Sequence, residues 1–197
     1  MQYINQSLVS EIRQKFCNVN TCPISGDRIF FENAGGALTL KSALETTTKF
    51  ASIPDNQGRD NAASKALNDV IKNAKSDLSA LFNTQSGEFF MGESGTELLF
   101  RLIRNAVLAS PSGGSIVGTS LEHPASRSAA KKWSNEMEYT YLSVPHCVKT
   151  GTVDPKNYAG KISDTTRVVT IVHASPVTGM GTKIKEISKI VRQKAPL

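Results

Sequence analysis

The sequence has no long hydrophobic run and no targeting pattern at its start. None of its apolar runs approaches the roughly 20 residues that a membrane-spanning helix needs. Residues 1–16 mix acidic, basic and apolar side chains in a helix-like pattern, without the basic end, apolar centre and small-residue cleavage site of a signal peptide. We therefore expect no membrane contact and a cytoplasmic location.

Cysteine is also scarce. The three cysteines, Cys17, Cys22 and Cys147, are odd in number and form no CxxC pair. Such a set fits neither a disulfide framework nor a zinc site. We expect three free thiols and no bound metal.

The chain lacks a concentrated basic region, although its formal net charge is +6. Lys and Arg are interspersed with acids, and no basic run with interleaved aromatic residues occurs. Nucleic-acid-binding surfaces are usually built from such runs. The excess charge is interpreted as solvated surface, and we expect no nucleic-acid partner.

What the sequence does contain is an alternation of strand and helix patterns. Its 197 residues, 39% of them hydrophobic, are enough for a folded core. Helices are predicted over 6–16, 39–51, 62–82, 96–109, 122–136, 154–162 and 183–193. Strands are predicted over 28–33, 88–91, 115–120, 138–144 and 167–174. This order predicts the α/β class, with a mostly parallel sheet covered by helices on both faces, and Asp60 or Asn61 is expected to cap the third helix.

Three polar segments follow predicted strands: GESGTE (92–97), SLEHPAS (120–126) and HASPVTG (173–179). Ligands of open α/β sheets bind at the carboxyl ends of the strands. The recurrence of polar residues at three such ends predicts a ligand site there.

In GESGTE, a helix starting near Thr96 would direct its free N–H groups towards the strand end. Gly95 allows close backbone approach, and the Ser94 and Thr96 hydroxyls add donors, so the segment could bind a phosphate. The simpler alternative is a helix cap completed by Glu97. No Lys-Ser/Thr pair follows, which excludes a P-loop.

His123 and His173 are the histidines at the other two strand ends. His123, oriented by Pro124, could lie against an aromatic ligand and transfer protons, or could simply be a residue at the helix start. Thr178 could donate a hydrogen bond to a ligand oxygen. His173 is interpreted as a structural residue.

Taken in order, FFENAGG (30–36), DNQGR (55–59), GESGTE, SLEHPAS and HASPVTGMGTKIKEI (173–187) resemble the N-terminal half of class V aminotransferases. Among these fold-type I pyridoxal-phosphate enzymes, the sequence is most similar to the cysteine desulfurase-like branch. The resemblance extends from about Ile29 to the end of the chain. It implies a three-layer αβα fold, pyridoxal 5′-phosphate as cofactor, an amino-acid substrate and a homodimer.

The resemblance also implies residue roles. The segment Ser94-Gly95-Thr96 matches the seat of the cofactor phosphate, and His123 matches the catalytic histidine that stacks on the pyridine ring. Ser175 and Thr178 are the candidates for contacting the phenolic oxygen, because Pro176 stands where cysteine desulfurases usually have asparagine. Asn33-Ala34-Gly35 matches a stretch beside the substrate pocket.

Two family features have no match in the sequence. The aspartate that holds the pyridine nitrogen and the lysine that forms the Schiff base are expected beyond Leu197. We therefore expect the N-terminal part of such an enzyme, inactive by itself. Residues 1–52 are predicted to form an N-terminal arm and helices, and residues 53–197 the first part of an incomplete large, cofactor-binding domain.

Two other function classes remain open at this stage. A serine hydrolase could use Ser94, His173 and either Asp154 or Asp164, in the order found in α/β-hydrolases. Thr96 stands where that fold's nucleophile turn has its last glycine, which argues against it. A non-catalytic binding or regulatory module derived from the aminotransferase family is the other alternative.

Overall fold

The computed structural model describes residues 5–54 and 57–195. The chain divides into two compact units, one ending at Phe89 and the other beginning at Phe90. The predicted domain boundary at residues 52 and 53 lies inside the first unit, and its assignment of a cofactor-binding domain stays a prediction.

Within its described residues, the first unit contains three helices and one short hairpin. Its elements are α1 (Gln6–Gln14), the antiparallel pair β1 (Thr21–Cys22) and β2 (Gly26–Asp27), α2 (Lys41–Ala51) and α3 (Ala62–Phe82). The predicted cap of α3 is confirmed for Asn61, whose side-chain oxygen accepts a 2.8 Å hydrogen bond from the Ser64 N–H. Residues 55 and 56 of the motif DNQGR lie outside the described residues.

Two predictions in this unit are wrong. The segment 28–33 forms no strand. The Arg28 N–H donates to the Asn20 carbonyl next to the hairpin, but residues 29–33 pair with no strand among the described residues. The Ile29 and Phe31 side chains are 85% and 90% exposed. The hairpin lies instead in residues 21–27, where no strand is predicted. β-branched and aromatic content favours a strand, but pairing decides it.

The second unit contains the sheet. Its elements are α4 (Gly95–Leu108), β3 (Ser115–Thr119), α5 (Pro124–Glu136), β4 (Thr140–Val144), α6 (Pro155–Ala159), β5 (Thr166–Val169) and α7 (Ile184–Lys194). The strand order is β4-β3-β5, and both pairings are parallel. The predicted α/β class with a parallel sheet is confirmed.

Helices cover both faces of this sheet. On one face Ile116 packs with Ile103 and Val107 of α4 and with Ala129 and Ala130 of α5. On the other face Val117 packs with Val144, Tyr158 of α6 and Ile187 of α7. Because successive residues of β3 point to opposite faces, this one buried strand joins the two clusters. The three-layer αβα arrangement follows.

Two strand predictions in the second unit need correction. Residues 88–91 form no strand, and Phe90 is 84% exposed. The predicted strand 167–174 is paired only as far as Val169. The Thr170 N–H still donates to the Val117 carbonyl, at 2.8 Å, but the chain then leaves the sheet. An isolated bridge between Ala174 and Gly181 closes the loop that follows.

Glycine is required at the entrance to β3. Gly114 has φ +114°, and a Cβ there would lie 2.1 Å from the Thr165 carbonyl oxygen. Any side chain would therefore push β3 away from the residue that precedes β5.

No described helix combines the length and the apolar character needed to cross a bilayer.

Candidate functional site

The polar segments of the second unit lie at the carboxyl ends of β3 and β5. These strands are parallel neighbours, so the segments that follow them meet at the same end of the sheet. The segment after β3 contains Glu122 and His123, and the segment after β5 contains Val172. This is the end at which α/β sheets bind ligands. Helix α4 leads into β3 and packs against α5 and β5, so its N-terminus is directed towards the same end.

The N-terminus of α4 has the features of both alternatives predicted for GESGTE, a helix cap and a phosphate-binding segment. Ser94 is the N-cap, and its Oγ accepts a 3.2 Å hydrogen bond from the Glu97 N–H, so the predicted cap is present. The N–H groups of Gly95 and Thr96 have no acceptor among the described residues. A Cβ added at Gly95 would meet no atom within 4 Å. An anion can therefore approach these two amides while the cap stays intact.

His123 is the N-cap of α5, and Pro124 is the first residue of that helix. Its Nδ1 accepts a hydrogen bond of 3.1 Å from the Ala125 N–H. In the neutral ring this leaves the proton on Nε2. Because the side chain is exposed, Nε2–H is available to a ligand.

One cavity of about 330 Å³ brings α4 and His123 together. Its walls are largely apolar and come from α4, from the start of α5 and from the end of β5 with the residues that follow it. The side chains that line it include Leu99, Leu102, Glu122, His123, Thr170 and Val172. Gly95 and Thr96 do not line this cavity. Gly95 stands four residues before Leu99, which is about 6 Å along the helix axis from the cavity wall.

Glu122 is a residue of this region to which the sequence analysis gave no role. It is 6% exposed. Its Oε1 accepts hydrogen bonds from the Thr119 hydroxyl (3.1 Å) and the Val172 N–H (2.8 Å), and its Oε2 accepts one from the Ser126 hydroxyl (3.1 Å). The sequence did contain a signal for this network. A hydroxyl residue stands three positions before Glu122 and another stands four positions after it, next to a predicted strand end.

Two tyrosines lie near enough to Glu122 for their ionisation to be affected. Burial raises the pKa of Tyr158, and the negative charge of Glu122 raises it further. Burial and the Glu122 charge also raise the pKa of Tyr141. Both phenols therefore stay neutral at physiological pH.

Ser175 and Thr178 lie in the turn after β5. Ser175 is buried, and its Oγ accepts 3.2 Å hydrogen bonds from the N–H groups of Val177 and Thr178. The Thr178 hydroxyl donates to the Gly151 carbonyl at 3.1 Å. Both side chains thus stabilise the turn, and their predicted contact with a cofactor stays a prediction.

The predicted substrate segment, Asn33, Ala34 and Gly35, forms a turn in the first unit. The N–H groups of Gly35 and Gly36 donate to the Glu32 carbonyl, at 3.0 and 3.2 Å. These two hydrogen bonds close the turn, and the role of its residues beside a substrate stays a prediction.

The residues of the hydrolase alternative are not connected. Ser94, His173, Asp154 and Asp164 make no side-chain hydrogen bond to one another. Asp154 instead caps α6 by accepting a 2.9 Å hydrogen bond from the Lys156 N–H. A different pair, Ser120 Oγ and His146 Nδ1, lies 2.7 Å apart and joins the ends of β3 and β4. His146 was not singled out in the sequence.

Comparison with known proteins agrees with this fold. Residues 29–197 match the family described as Aminotransferase class-V. A cysteine desulfurase of Nostoc sp. is 30% identical over 132 residues, which are 66% of this chain and 32% of that protein. The chain therefore spans about a third of the length of this relative.

Solved structures share the fold. A cysteine desulfurase of Thermococcus onnurineus in its apo form superposes with a TM-score of 0.79 at 16% identity, over 94% of this chain and 45% of that one. A variant of C-DES with glycine covalently linked to its pyridoxal-phosphate cofactor superposes with a TM-score of 0.73 at 18% identity, over 93% and 46% of the two chains. The chain belongs to the class-V aminotransferase family, and the predicted resemblance is confirmed.

Proposed function

We propose that this chain is the N-terminal part of a pyridoxal-phosphate-dependent enzyme of the cysteine desulfurase-like type, acting on an amino acid. Family membership indicates pyridoxal 5′-phosphate as the cofactor. The observation that carries the proposal is the pair of acceptor-free amides at the start of α4, about one helical turn before Leu99 of the cavity that His123 lines. The cytoplasmic location and the homodimer belong to the proposal.

The start of α4 fits the phosphate group of this cofactor. Gly95 and Thr96 would donate their N–H groups to it, and the positive end of the helix dipole favours the negative charge. The Ser94 hydroxyl accepts from Glu97 and keeps its own hydrogen for a phosphate oxygen. The open space beside Gly95 permits the close approach that these bonds need.

His123 would lie against the ring of the cofactor and hold or move a proton at Nε2. The Ala125 N–H occupies Nδ1 and so sets which nitrogen is available. Of the two candidates for the phenolic oxygen, Ser175 has a hydroxyl hydrogen that no described acceptor takes, whereas Thr178 donates to Gly151. When bound, the cofactor supplies an electron sink for a carbanion at the amino acid's α-carbon.

No lysine of this chain is assigned to the Schiff base. Lys183 and Lys185 do not stand in the matching sequence context, and Lys183 faces Glu186 at 3.6 Å. The proposal therefore gives this chain cofactor and substrate contacts, and places the covalent step with residues that the chain does not supply.

The test is binding of 4′-deoxypyridoxine 5′-phosphate, which lacks the aldehyde and so cannot react with surface lysines. Isothermal titration calorimetry compares the wild-type chain with Gly95→Pro. Proline is tolerated at the first position of a helix, where it removes the N–H under test and occupies the open space beside Gly95. We expect affinity to fall about 10-fold or more, the cost of one hydrogen bond to a charged group.

The matched control is Ala62→Pro, the same change at the first position of α3. It should leave binding unchanged. His123→Ala should weaken binding as well. Equal affinities for wild type, Gly95→Pro and His123→Ala, or no binding by the wild-type chain, would count against the proposal.

A further inference from the structure

Glu122 is the buried carboxylate that joins the carboxyl ends of β3 and β5. It belongs to the turn between β3 and α5, where the Thr119 carbonyl also accepts its backbone N–H at 3.3 Å. Through its side chain it reaches Ser126 in the first turn of α5 and Val172 beyond the end of β5. One side chain thus contacts the two segments that carry His123 and Ser175.

The direction of these hydrogen bonds is determined by the donors. A backbone N–H such as that of Val172 can only donate. The Thr119 Oγ already accepts from the Leu121 N–H at 3.2 Å, so its own hydrogen is directed to Glu122. Oε1 is therefore an acceptor of two hydrogen bonds, and it must be an oxygen without a proton.

Val172 has a particular need of this contact. The Thr170 N–H is bonded to the Val117 carbonyl of β3, and the next backbone bond along the chain joins the Thr182 N–H to the His173 carbonyl. Between them, the only acceptor that the described residues offer the Val172 N–H is Glu122 Oε1. Without it, no hydrogen bond between described residues would join the segment from Ile171 to Ser175 to the turn that follows β3.

We propose that Glu122 is a positioning residue that holds the segment after β5 against the start of α5, and so fixes Ser175 relative to His123. It acts through the reach and acceptor geometry of its side chain, and its charge is not required. The inference rests on the proposed function for its consequence in cofactor binding, but the contact with Val172 can be tested independently.

Two substitutions separate reach from charge. Glu122→Gln keeps an oxygen for Thr119 and Val172, and its NH₂ group can donate to Ser126 Oγ, so the geometry survives while the charge is lost. Glu122→Asp keeps the charge but is one methylene shorter, so it cannot contact Ser126 and Val172 together. If the reach of the side chain matters, Glu122→Asp should be the damaging substitution. If the charge matters, Glu122→Gln should be.

The measurement is amide hydrogen exchange of Val172 by NMR, with the Thr170 amide as an internal reference because its acceptor lies in β3. We expect exchange at Val172 about tenfold faster in Glu122→Asp, the loss of one hydrogen bond, and within about threefold of wild type in Glu122→Gln. Glu136→Asp is the matched control, since Glu136 is an exposed glutamate of α5 paired with Lys132. It should leave Val172 unchanged.

The same variants are titrated with 4′-deoxypyridoxine 5′-phosphate. Glu122→Asp should weaken binding several-fold, and Glu122→Gln should bind the analogue as the wild-type chain does. If the wild-type chain does not bind the analogue, the proposed function fails, while the exchange data still decide the role of Glu122.

The inference is overturned if Glu122→Asp leaves Val172 exchange at the wild-type rate, or if Glu122→Gln speeds it tenfold. If Glu122→Asp does not fold, Glu122→Gln decides alone. Wild-type exchange at Val172 then supports the inference, and faster exchange refutes it.

Discussion

The two units of the chain differ sharply in what they bury. Among the described residues up to Phe89 only Ser64 is buried, whereas every buried hydrophobic side chain lies between Ile103 and Ala195. Both units contain long, well-capped helices. The first unit includes α3, which has 21 residues, starts at a side-chain cap and ends at Asn83 in the left-handed conformation.

The comparison separates the causes of helix formation from the causes of stability. Caps and helix-forming residues determine where a helix begins and ends. Burial of an apolar face supplies most of the stabilising free energy. The second unit has helix caps and buried apolar faces, whereas the first unit has chiefly helix caps and helix-forming residues.

The largest expected effect is on core packing. Ile187 in α7 is fully buried, and Ile12 in α1 is 44% exposed. Ile187→Ala should lower the free energy of unfolding by about 2–5 kcal/mol, and Ile12→Ala by less than about 1 kcal/mol. Urea denaturation followed by circular dichroism measures both, and equal losses would remove the contrast between the units.

Glycine substitutions test the same contrast in the backbone. Gly114 and Gly26 both have positive φ, but a Cβ at Gly26 would meet nothing within 4 Å. Gly26→Ala should cost about 1 kcal/mol from strain alone. Gly114→Ala should cost about 1–3 kcal/mol more, because it also forces β3 away from Thr165. Similar midpoints of thermal unfolding for the two variants would contradict this.

Alkaline pH should weaken the second unit through Tyr158. Its pKa is raised in the folded state by burial and by Glu122, and in the unfolded chain it is about 10. The stabilisation is therefore complete below pH 10 and is lost as the pH rises above that value. The loss should reach up to about 1.4 kcal/mol per pH unit.

Tyr158→Phe should reduce this slope to the part due to Tyr141, whose pKa is also raised. It should cost little at pH 7, since the Tyr158 hydroxyl donates only a long, 3.5 Å hydrogen bond to the Thr170 carbonyl. The measurement is urea denaturation of both proteins at pH 8, 10 and 11. An equal slope in the variant would show that Tyr158 does not titrate as described.

The smallest effect concerns cysteine reactivity, and here the first unit is the more reactive. Hydrogen bonds from the Ser25 hydroxyl and then from the Ser25 and Ile24 amides lower the pKa of Cys22 to about 7. Iodoacetamide labelling of Cys22 should therefore be half-maximal near pH 7, because the thiolate is the reactive form. Ser25→Ala should move that midpoint towards the ordinary thiol value.

Cys147 is the comparison in the second unit. Its pKa is also lowered, by the Thr150 hydroxyl and by nearby amides. Peptide mapping by mass spectrometry measures both sites in one sample. A midpoint for Cys22 that Ser25→Ala does not change would contradict the assigned cause.

Several elements were predictable from local residues. The bounds of α3 match the predicted 62–82, and the Asn61 cap and Pro124 at the start of α5 stand where predicted. Helices are recognisable in this way because their hydrogen bonds and caps lie within a few residues of one another.

The strands and the candidate site were predicted less completely. Residues 29–33 and 88–91 have strand-like composition but pair with no strand among the described residues, and β5 ends where its pairing with β3 ends. The motif SLEHPAS predicts no role for Glu122, because its partner Val172 lies 50 residues further along the chain.

By itself, the sequence determined the α/β class, the helix starts to within two residues and the family, since each depends on residue types at short spacing. Only the tertiary structure decided which extended segments pair, which side chains are buried and that Glu122 joins α5 to the segment after β5. A strand and a buried carboxylate both need partners from distant parts of the chain, and those partners are identified only once the chain has folded.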